Sequence, residues 1–382
     1  MAALLLDNPA SLAAMGMITL GSVEQASQIG TVGKFFMNEG VFAMVRRFEN
    51  KRKPLSMETK KKMRILSGIQ PSGKLHLGNY FGMMKPALAL QQQGDAFLFI
   101  ADYHALTSVA DPQALRQNVR DVELDFLACG LDTNRTVFFR QSDVPEVVEL
   151  TWLLSIVTPM GLLERCHSYK DKLVKGIAAS HALFSYPVLM AADILQVQAT
   201  TVPVGRDQKQ HVEVARDIAV KFNLQFGETF TIPEPSICDD VAVIPGVDGQ
   251  KMSKSYNNTV EIFGTEKETK ARIMRIVTDS TPLEQPKEPS TCNVFALYKL
   301  FATEAECVEL AAQYRAGGFG YGTAKKALFE KVWTYFEPFR KRREALQKEP
   351  AYVDAVLKEG AERARTEARK TLSAARRAVG LE

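Results

Sequence analysis

The segment Gly68-Ile-Gln-Pro-Ser-Gly-Lys-Leu-His-Leu-Gly-Asn79 joins the short apolar stretch Ile65-Leu66 to the start of a helix. Its glycines let a ligand come close to the backbone, and the first turn of a helix presents N–H groups that suit a phosphate. His76 can donate a hydrogen bond to charge that develops on a phosphoryl oxygen. A turn rich in glycine and proline is more often structural, so the segment predicts a nucleotide site only in combination with other signals.

A second loop, Gly246-Val-Asp-Gly-Gln-Lys-Met-Ser-Lys-Ser255, carries the closely spaced lysines Lys251 and Lys254. Attack on the α-phosphorus of ATP concentrates charge on the nonbridging oxygens and on the departing pyrophosphate. Mobile ammonium groups can stabilise that charge more in the transition state than in the ground state. A pair of lysines alone is usually part of a solvated loop.

Short buried strands are predicted at 96–100 and 136–140, and an apolar helix at 147–157 follows the second of them. Strands that alternate with helices favour an α/β fold with a parallel sheet, which binds ligands at the carboxyl ends of its strands. After about residue 258 the pattern becomes helical, with helices predicted at 265–277, 294–301, 304–316, 323–336 and 351–378. The last helix has a small-residue face suited to packing: Ala361, Ala364, Ala368, Leu372 and Ala375.

These patterns predict three regions: an N-terminal extension at 1–62, a catalytic domain at 63–258 and a helical domain at 259–382. The extension mixes short apolar runs with small residues and lacks the ordered parts of a secretory signal. Met57 or Met63 is an alternative start, and an organelle presequence is the other alternative. The role of the extension stays open at the level of sequence.

The composition is that of a soluble globular protein, with 382 residues, 46% hydrophobic and 24% charged. The five cysteines form no C-x-x-C pair, so neither a disulfide framework nor a zinc site is expected. No apolar run approaches the ~20 residues of a membrane helix, and the expected location is the cytoplasm. The net charge is only +4, but basic residues cluster at 46–64 and in the C-terminal helices. Such clusters are usually solvated faces, and a polyanion partner is the alternative.

Together, the motifs P-x-x-x-H-L-G-N and K-M-S-K-S resemble the paired signatures of class I aminoacyl-tRNA synthetases. Further segments resemble those of the bacterial tryptophanyl-tRNA synthetase family: Ser67-Gly-Ile-Gln-Pro-Ser-Gly73, Tyr186-Pro-Val-Leu-Met-Ala-Ala-Asp-Ile-Leu195, Val202-Pro-Val-Gly-Arg-Asp-Gln-Lys-Gln-His211 and Gly318-Phe-Gly-Tyr-Gly322. The resemblance spans about 64–381. It implies an α/β fold with a Rossmann-like, doubly wound parallel sheet and a C-terminal helical anticodon-binding domain.

The resemblance also implies roles at an ATP site. The catalytic residues would be His76, Lys172, Lys251 and Lys254. The ATP contacts would be Gln70, Pro71, Ser72, Gly78, Asn79, Gly205, Arg206, Asp207, Val243, Ile244, Lys251, Met252, Ser253, Lys254 and Ser255. The chain departs from the family at His167-Ser-Tyr169, where the family usually has Thr-Gln-Phe, and in a shorter loop before Lys251.

For the amino acid, the resemblance implies that Asp193 accepts the indole N–H. The chemistry agrees, because an indole nitrogen can only donate and a buried acceptor rejects rings that lack the N–H. A carboxylate on the apolar helix 189–195 is costly to bury, which favours a functional role. The same family pattern implies the rest of the tryptophan site: Met190, Val202, Val204 and Leu66 as apolar walls, Tyr186 and Gln208 at the ammonium group, and His104 as a pocket residue or a helix start.

The implied reaction activates L-tryptophan with ATP and transfers it to the 3′-terminal ribose of tRNA(Trp), in a homodimer. Mg²⁺ would arrive with ATP, and no resident metal is predicted even though Asp207 and His211 lie in one motif. Three alternatives remain from the residues. They are a tyrosyl enzyme of the same subclass, a tRNA-binding paralogue without catalysis, and a small-molecule nucleotidylyltransferase.

Overall fold

A parallel sheet forms the centre of the structure, a computed structural model that describes residues 63–166, 169–170, 180–205, 208–237 and 244–382. Within these ranges the strand order is β3-β2-β1-β4-β5. The strands are β1 Arg64–Ile69, β2 Asp95–Ile100, β3 Thr136–Arg140, β4 Thr201–Val204 and β5 Glu234–Ile237. The order reverses between β1 and β4, which is the position where doubly wound sheets open a ligand crevice. The α/β fold with a Rossmann-like, doubly wound parallel sheet is therefore confirmed.

Both faces of the sheet are covered, and the strand sequences explain why. Parallel strands that are buried on two sides consist of almost continuous apolar residues. In β2, Leu98 and Ile100 enter one hydrophobic core, whereas Phe97 and Phe99 enter the other. The strands predicted at 96–100 and 136–140 are present with bounds that differ by no more than one residue.

Helices alternate with these strands through the first two thirds of the described chain. They are α1 Leu77–Asn79, α2 Lys85–Leu90, α3 Asp102–Ala105, α4 Pro112–Ala128, α5 Glu146–Ser155, α6 Met160–Glu164, α7 His181–Gln196 and α8 Lys209–Phe226. A π-helical turn, Tyr80–Met84, connects α1 to α2. Side-chain caps begin α4, where Asp111 accepts from the backbone N–H groups of Gln113 and Ala114, and α7, where Ser180 accepts from that of Leu183.

The C-terminal part is helical, as predicted. Its helices are α9 Glu266–Met274, α10 Asn293–Tyr298, α11 Glu304–Ala316, α12 Tyr321–Gln347 and α13 Pro350–Ala378. Thr265 and Thr303 start α9 and α11 as capping boxes with Glu268 and Glu306. The main departure is α12, which continues through Pro338 instead of ending near residue 336.

Helix α13 packs on strand β3 and on α5 and α7. The predicted small-residue face is buried. At the closest approach, a Cβ on Gly360 would lie 1.8 Å from the carbonyl oxygen of Phe138, so only glycine allows this contact. Residues Lys62–Glu382 form one compact unit. The boundary between domains at 258 and 259 therefore stays a prediction.

Many basic side chains of the C-terminal helices pair with acidic residues of the sheet-covering helices. Arg343 of α12 reaches Asp121 and Asp125 of α4, each at 2.6 Å. Arg365 and Arg369 of α13 both contact Glu146 of α5. These arginines belong to the basic C-terminal helices for which a polyanion partner was the alternative. In the structure they join α12 and α13 to α4 and α5. No helix among the described residues is long and apolar enough to cross a membrane.

We expect Arg343→Met to lower the free energy of unfolding by about 3–5 kcal/mol, because it leaves the buried Asp125 carboxylate unpaired. Burial raises the pKa of Asp125 to about 7, although Arg343 opposes the rise. When a carboxyl group has a higher pKa in the folded protein than in the unfolded chain, the protein loses stability as the pH rises from the unfolded value to the folded value. Removing Arg343 raises the folded pKa further, so the deficit of the variant should be larger at pH 8.5 than at pH 6.

Urea unfolding at both pH values measures this deficit. Lys341→Met on the same helix is the matched control, since Lys341 is exposed and pairs only with Glu337 one turn away among the described contacts. A deficit that is equal at the two pH values would contradict the assigned role of Asp125.

Candidate active site

The loop that follows β1 lies at the carboxyl edge of the sheet. Gln70 anchors it to the segment after β2, because its side-chain amide donates to the carbonyl oxygen of His104 and to the hydroxyl of Ser108, each at 3.0 Å. Gly73 has a φ of +122°, a conformation that side chains rarely allow. A Cβ at Gly78 would lie 3.0 Å from the ring of His76. The predicted glycines are therefore required by the backbone of this loop.

His76 is the N-cap of α1 and is buried. Its Nδ1 accepts from the backbone N–H of Asn79, while the Asn79 side chain accepts from the backbone N–H of His76, both at 3.3 Å. Burial, with a smaller contribution from Lys254, lowers the pKa of His76 to about 4. The imidazole is therefore neutral near pH 7, and because Nδ1 is an acceptor, Nε2 carries the proton. This nitrogen is a donor for a phosphoryl oxygen.

The second signature loop contacts the first. The backbone N–H of Gly78 donates to the sulfur of Met252 at 3.4 Å, and Lys254 Nζ donates to the carbonyl oxygen of Gly73 at 2.7 Å. Just after the second loop, the carbonyl oxygen of Val260 accepts a hydrogen bond from the backbone N–H of Leu77 at 2.9 Å, which supports the contact. Two segments that are far apart in sequence thus form one surface.

Asn258 holds the second loop in shape, and sequence reasoning missed it. Its side chain is buried, donates to the carbonyl oxygen of Lys251 at 3.1 Å and accepts from the backbone N–H of Ser253 at 2.7 Å. It also donates to Asp248 at 2.8 Å. A Cβ at Gly246 would lie 2.4 Å from this amide, which explains the glycine at the start of the loop.

Lys254 is the more enclosed lysine of the loop, while Lys251 is exposed. Burial lowers the pKa of Lys254 to about 8, with Asp125 and Glu261 acting in the opposite direction. The lysine is therefore charged at neutral pH but loses its proton in a range that assays reach. A negatively charged ligand at this position would favour the charged form.

A buried carboxylate lies across the crevice from these loops. Asp193, on α7, is 1% exposed, and its Oδ2 lies 2.9 Å from Nε2 of His104. Burial raises the pKa of Asp193, and the hydrogen bonds from His104 and Gln141 oppose this rise. His104 therefore belongs to the site, and its backbone carbonyl also holds Gln70 of the first loop.

Gln141, in the turn Gln141–Asp143 after β3, was missed by the sequence reasoning. It is fully buried, and its amide nitrogen lies 2.9 Å from both carboxylate oxygens of Asp193. A single glutamine after a strand resembles many loop residues. No pattern in the sequence could have singled it out.

The residues predicted as apolar walls share one hydrophobic cluster. In this cluster Leu66 and Val202 are buried, whereas Met190 and Val204 are partly buried. The Tyr186 hydroxyl lies 2.7 Å from Nε2 of His211, another residue whose part in the site was not predicted. The Tyr186 ring meets His104 edge to face at 6.1 Å.

The remaining predicted residues are placed in part. Gly205 directly follows β4. Gln208 is exposed at the start of α8, and its backbone N–H donates a hydrogen bond to the carbonyl oxygen of Gly205 at 2.9 Å. Ile244 is buried, and its carbonyl accepts from Met252 at 2.8 Å. Pro71 is buried, whereas Ser72 and Ser255 are exposed. Lys172, Arg206, Asp207 and Val243 lie outside the described residues.

The two signature loops and the buried Asp193 carboxylate are connected through His104. On one side are the neutral His76, the enclosed Lys254 and the backbone of α1. On the other side are Asp193 and the apolar cluster. His104 contacts both sides. Within the described residues, no group of three or more His, Cys, Asp or Glu could hold a metal ion.

Comparisons with known proteins agree with this geometry. The family described as tRNA synthetases class I (W and Y) matches residues 57–337. A tryptophan–tRNA ligase of Rhodopirellula baltica is 55% identical over 319 residues, which cover 84% of this chain and 100% of the relative. A tryptophan–tRNA ligase of Fusobacterium nucleatum is also 55% identical, covering 83% and 98%.

A crystal structure of the tryptophanyl-tRNA synthetase of Campylobacter jejuni, complexed with ADP and tryptophan, superposes with a TM-score of 0.80 at 51% identity. The match covers 84% of this chain and 100% of that chain. Family, relatives and structure agree over the same part of the sequence. The chain therefore belongs to the bacterial tryptophanyl branch of the class I tRNA synthetase family.

Proposed function

We propose that this chain is a tryptophan–tRNA ligase whose reaction takes place between the two signature loops and Asp193. It activates L-tryptophan with ATP to give tryptophanyl-adenylate and pyrophosphate, and then transfers tryptophan to the 3′-terminal ribose of tRNA(Trp). The observation that carries the proposal is the pair of contacts made by His104. Its backbone holds Gln70 of the phosphate-binding loop, and its ring holds the Asp193 carboxylate.

In the first step, a carboxylate oxygen of tryptophan attacks the α-phosphorus of ATP, and the bond to pyrophosphate breaks. The protein needs no nucleophile of its own, because positioning and charge stabilisation supply the catalysis. The Nε2–H of His76 donates to a phosphoryl oxygen. Lys254 exchanges the Gly73 carbonyl for a phosphate oxygen, and Lys251 with Ser253 and Ser255 completes the loop around the triphosphate.

In the second step, a ribose hydroxyl of the tRNA attacks the carbonyl carbon of the adenylate, and AMP leaves. Class I chemistry implies the 2′-hydroxyl. Mg²⁺ would enter with ATP and would neutralise part of the charge on the phosphates, without needing an all-protein cage. ATP is therefore a co-substrate, and Mg²⁺ is its counterion.

Asp193 selects tryptophan in this proposal. A buried carboxylate that accepts the indole N–H penalises a ring without a donor, because such a ring strands the carboxylate. Met190, Val202, Val204 and Leu66 would contact the faces of the indole. Tyr186 and Gln208 would bind the ammonium group of the substrate.

The helical part at 259–382 would supply the anticodon contacts. Arg343, Arg365, Arg369 and Arg376 already form intramolecular ion pairs. Phosphate contacts are therefore expected from other cations of this part. We place the reaction in the cytoplasm, which suits the free cysteines found within the described chain, three of them buried.

A homodimer is also proposed, and an apolar stripe on α5 and α6 supports it. Val148, Trp152, Ile156 and Met160 are all more than half exposed, with Trp152 at 72%. Val148 and Trp152 lie on one face of α5, opposite the buried residues Val147, Leu150 and Leu154, and Ile156, the C-cap of the helix, continues this spacing. An exposed apolar stripe of this kind is typical of an interface between subunits.

Exchange of labelled pyrophosphate into ATP, run with each of the twenty amino acids, tests the function. We expect exchange with tryptophan. Exchange with tyrosine instead would identify the tyrosyl alternative, and no exchange with any amino acid would favour a tRNA-binding paralogue.

Asp193→Ala should lower kcat/KM for tryptophan by about 100-fold through loss of a hydrogen bond to a charged acceptor. The neighbouring Ile194→Val is the control, and equal losses in the two variants would refute the role of Asp193.

The pH dependence of the same exchange tests Lys254. Because its pKa is lowered to about 8, the free enzyme loses the ammonium charge as the pH rises through this value. The kcat/KM for ATP should therefore fall above about pH 8. In Lys254→Arg the charge persists, so the alkaline limb should move to higher pH even if the rate is lower. Lys74→Arg, at an exposed lysine of the first loop, should leave the limb in place. An unchanged limb in Lys254→Arg would contradict the assignment.

The proposed dimer is tested by Trp152→Glu. A charge in the centre of the α5 stripe should give a monomer in sedimentation velocity at concentrations where the wild-type chain is a dimer. Leu224→Glu on α8 is the matched control, because Leu224 is also exposed, at 82%, but lies outside the stripe. A dimer that survives Trp152→Glu would show that the interface lies elsewhere.

A further inference from the structure

Gln141 connects the amino-acid pocket to the backbone after β2. It has no exposed surface. Its Oε1 accepts from the backbone N–H of Tyr103 at 3.1 Å and of His104 at 3.4 Å. Its Nε2 lies 2.9 Å from Oδ1 and from Oδ2 of Asp193. The oxygen and the nitrogen of this buried amide therefore both form hydrogen bonds.

These contacts determine which way the amide faces. A backbone N–H can only donate, so the atom next to Tyr103 and His104 must be the amide oxygen. The NH₂ group then faces Asp193, and the Asp193 oxygens must accept. The orientation follows from the hydrogen-bond partners and needs no information about hydrogen positions.

The turn that carries Gln141 is itself held in place. Asp102, at the start of α3, accepts from the backbone N–H of Ser142 and from that of Tyr103, each at 3.0 Å. It also accepts from the Ser142 hydroxyl. The backbone of Gln141 and the N–H groups that its side chain reaches are thus fixed by the same carboxylate.

The two carboxylate oxygens of Asp193 have different numbers of hydrogen-bond donors. Within the described part of the chain, Oδ2 accepts from both Gln141 and His104, whereas Oδ1 accepts from Gln141 alone. A carboxylate has about four lone-pair positions. Oδ1 therefore keeps acceptor capacity for one more donor.

We propose that Gln141 is a positioning residue that sets the selectivity of the site for a ring with an N–H, by holding Asp193 as an acceptor with Oδ1 directed to the substrate. The proposal rests on the role of Asp193 proposed above. Without the Gln141 donors, the buried carboxylate would lose hydrogen bonds at both of its oxygens, and these bonds favour its ionised form against burial. A protonated Asp193 can donate, and it would no longer distinguish a ring nitrogen with a hydrogen from an isostere without one.

The test compares tryptophan with 3-benzothienylalanine, in which sulfur replaces the indole N–H and the shape is retained. The quantity measured is the ratio of kcat/KM for the two compounds in pyrophosphate exchange. We expect the wild-type ratio to favour tryptophan by at least about 100-fold. Gln141→Met, of similar volume but without donors, should lower this ratio by about 10-fold or more, through tryptophan and not through the sulfur analogue.

Gln141→Asn is a second variant in case the first does not fold. It keeps an amide in the turn but is shorter by one methylene, so it cannot reach the α3 N–H groups and Asp193 together. The ratio should fall in this variant too. Gln196→Leu is the matched control: Gln196 is a buried glutamine on the same helix as Asp193, near its C-terminal end, so its loss should affect stability without changing the ratio.

Asp193→Ala separates the two possible failures. If the ratio collapses in Asp193→Ala but stays at the wild-type value in folded Gln141 variants, the inference about Gln141 is wrong and the role of Asp193 stands. If the ratio is unchanged in Asp193→Ala, the role of Asp193 is wrong and the inference falls with it. Equal losses for both compounds in the Gln141 variants would indicate a purely structural role.

Discussion

The parallel pairing of β1 between β2 and β4 is the constraint on which the site depends. Ile69 at the end of β1 is in register with Ile100 at the end of β2, so the chain leaves both strands at one edge of the sheet. The strand order therefore brings the first signature loop, the segment with His104 and the segment after β4 to this edge, and the Gln70 side chain holds the first two together. The second signature loop then joins this edge through the side chains of Met252 and Lys254, which form hydrogen bonds with the backbone of the first loop.

The helical part also contributes to the position of the first loop. Tyr80 begins the π-helical turn after His76, and its hydroxyl lies 2.9 Å from that of Tyr335 on α12. Its ring also meets Phe336 edge to face at 5.0 Å. The helix that starts at the proposed phosphate site thus rests on α12. Arg343 on the same helix pairs with Asp125. The charge of Asp125 in turn acts on Lys254, where it opposes the lowering of the pKa by burial.

Periodicity was enough to predict the strands at 96–100 and 136–140 and the helical C-terminal part, whereas the family followed from the resemblance of the signature motifs and of the longer segments around them. Periodicity was enough because buried parallel strands and capped helices leave local patterns in the sequence. Gln141 and Asn258 could not be predicted, since their roles depend on partners that only the folded chain brings near. The same holds for Arg343, which looked like a candidate for RNA but pairs with an acidic residue of α4. Sequence alone shows that a side chain is charged, and the partner is decided by the tertiary structure.

The position of α13 has a consequence for the order in which the molecule is built. A ribosome synthesises this helix after all the described strands of the sheet, yet its small-residue face covers β3 and part of the core shared by α5 and α7. Until residues 350–378 have emerged, the apolar surface of β3 beside Gly360 has no cover. The sheet that carries the proposed active site therefore cannot complete its core during synthesis of its own strands, and the nascent chain has to keep that surface from aggregating until α13 has emerged.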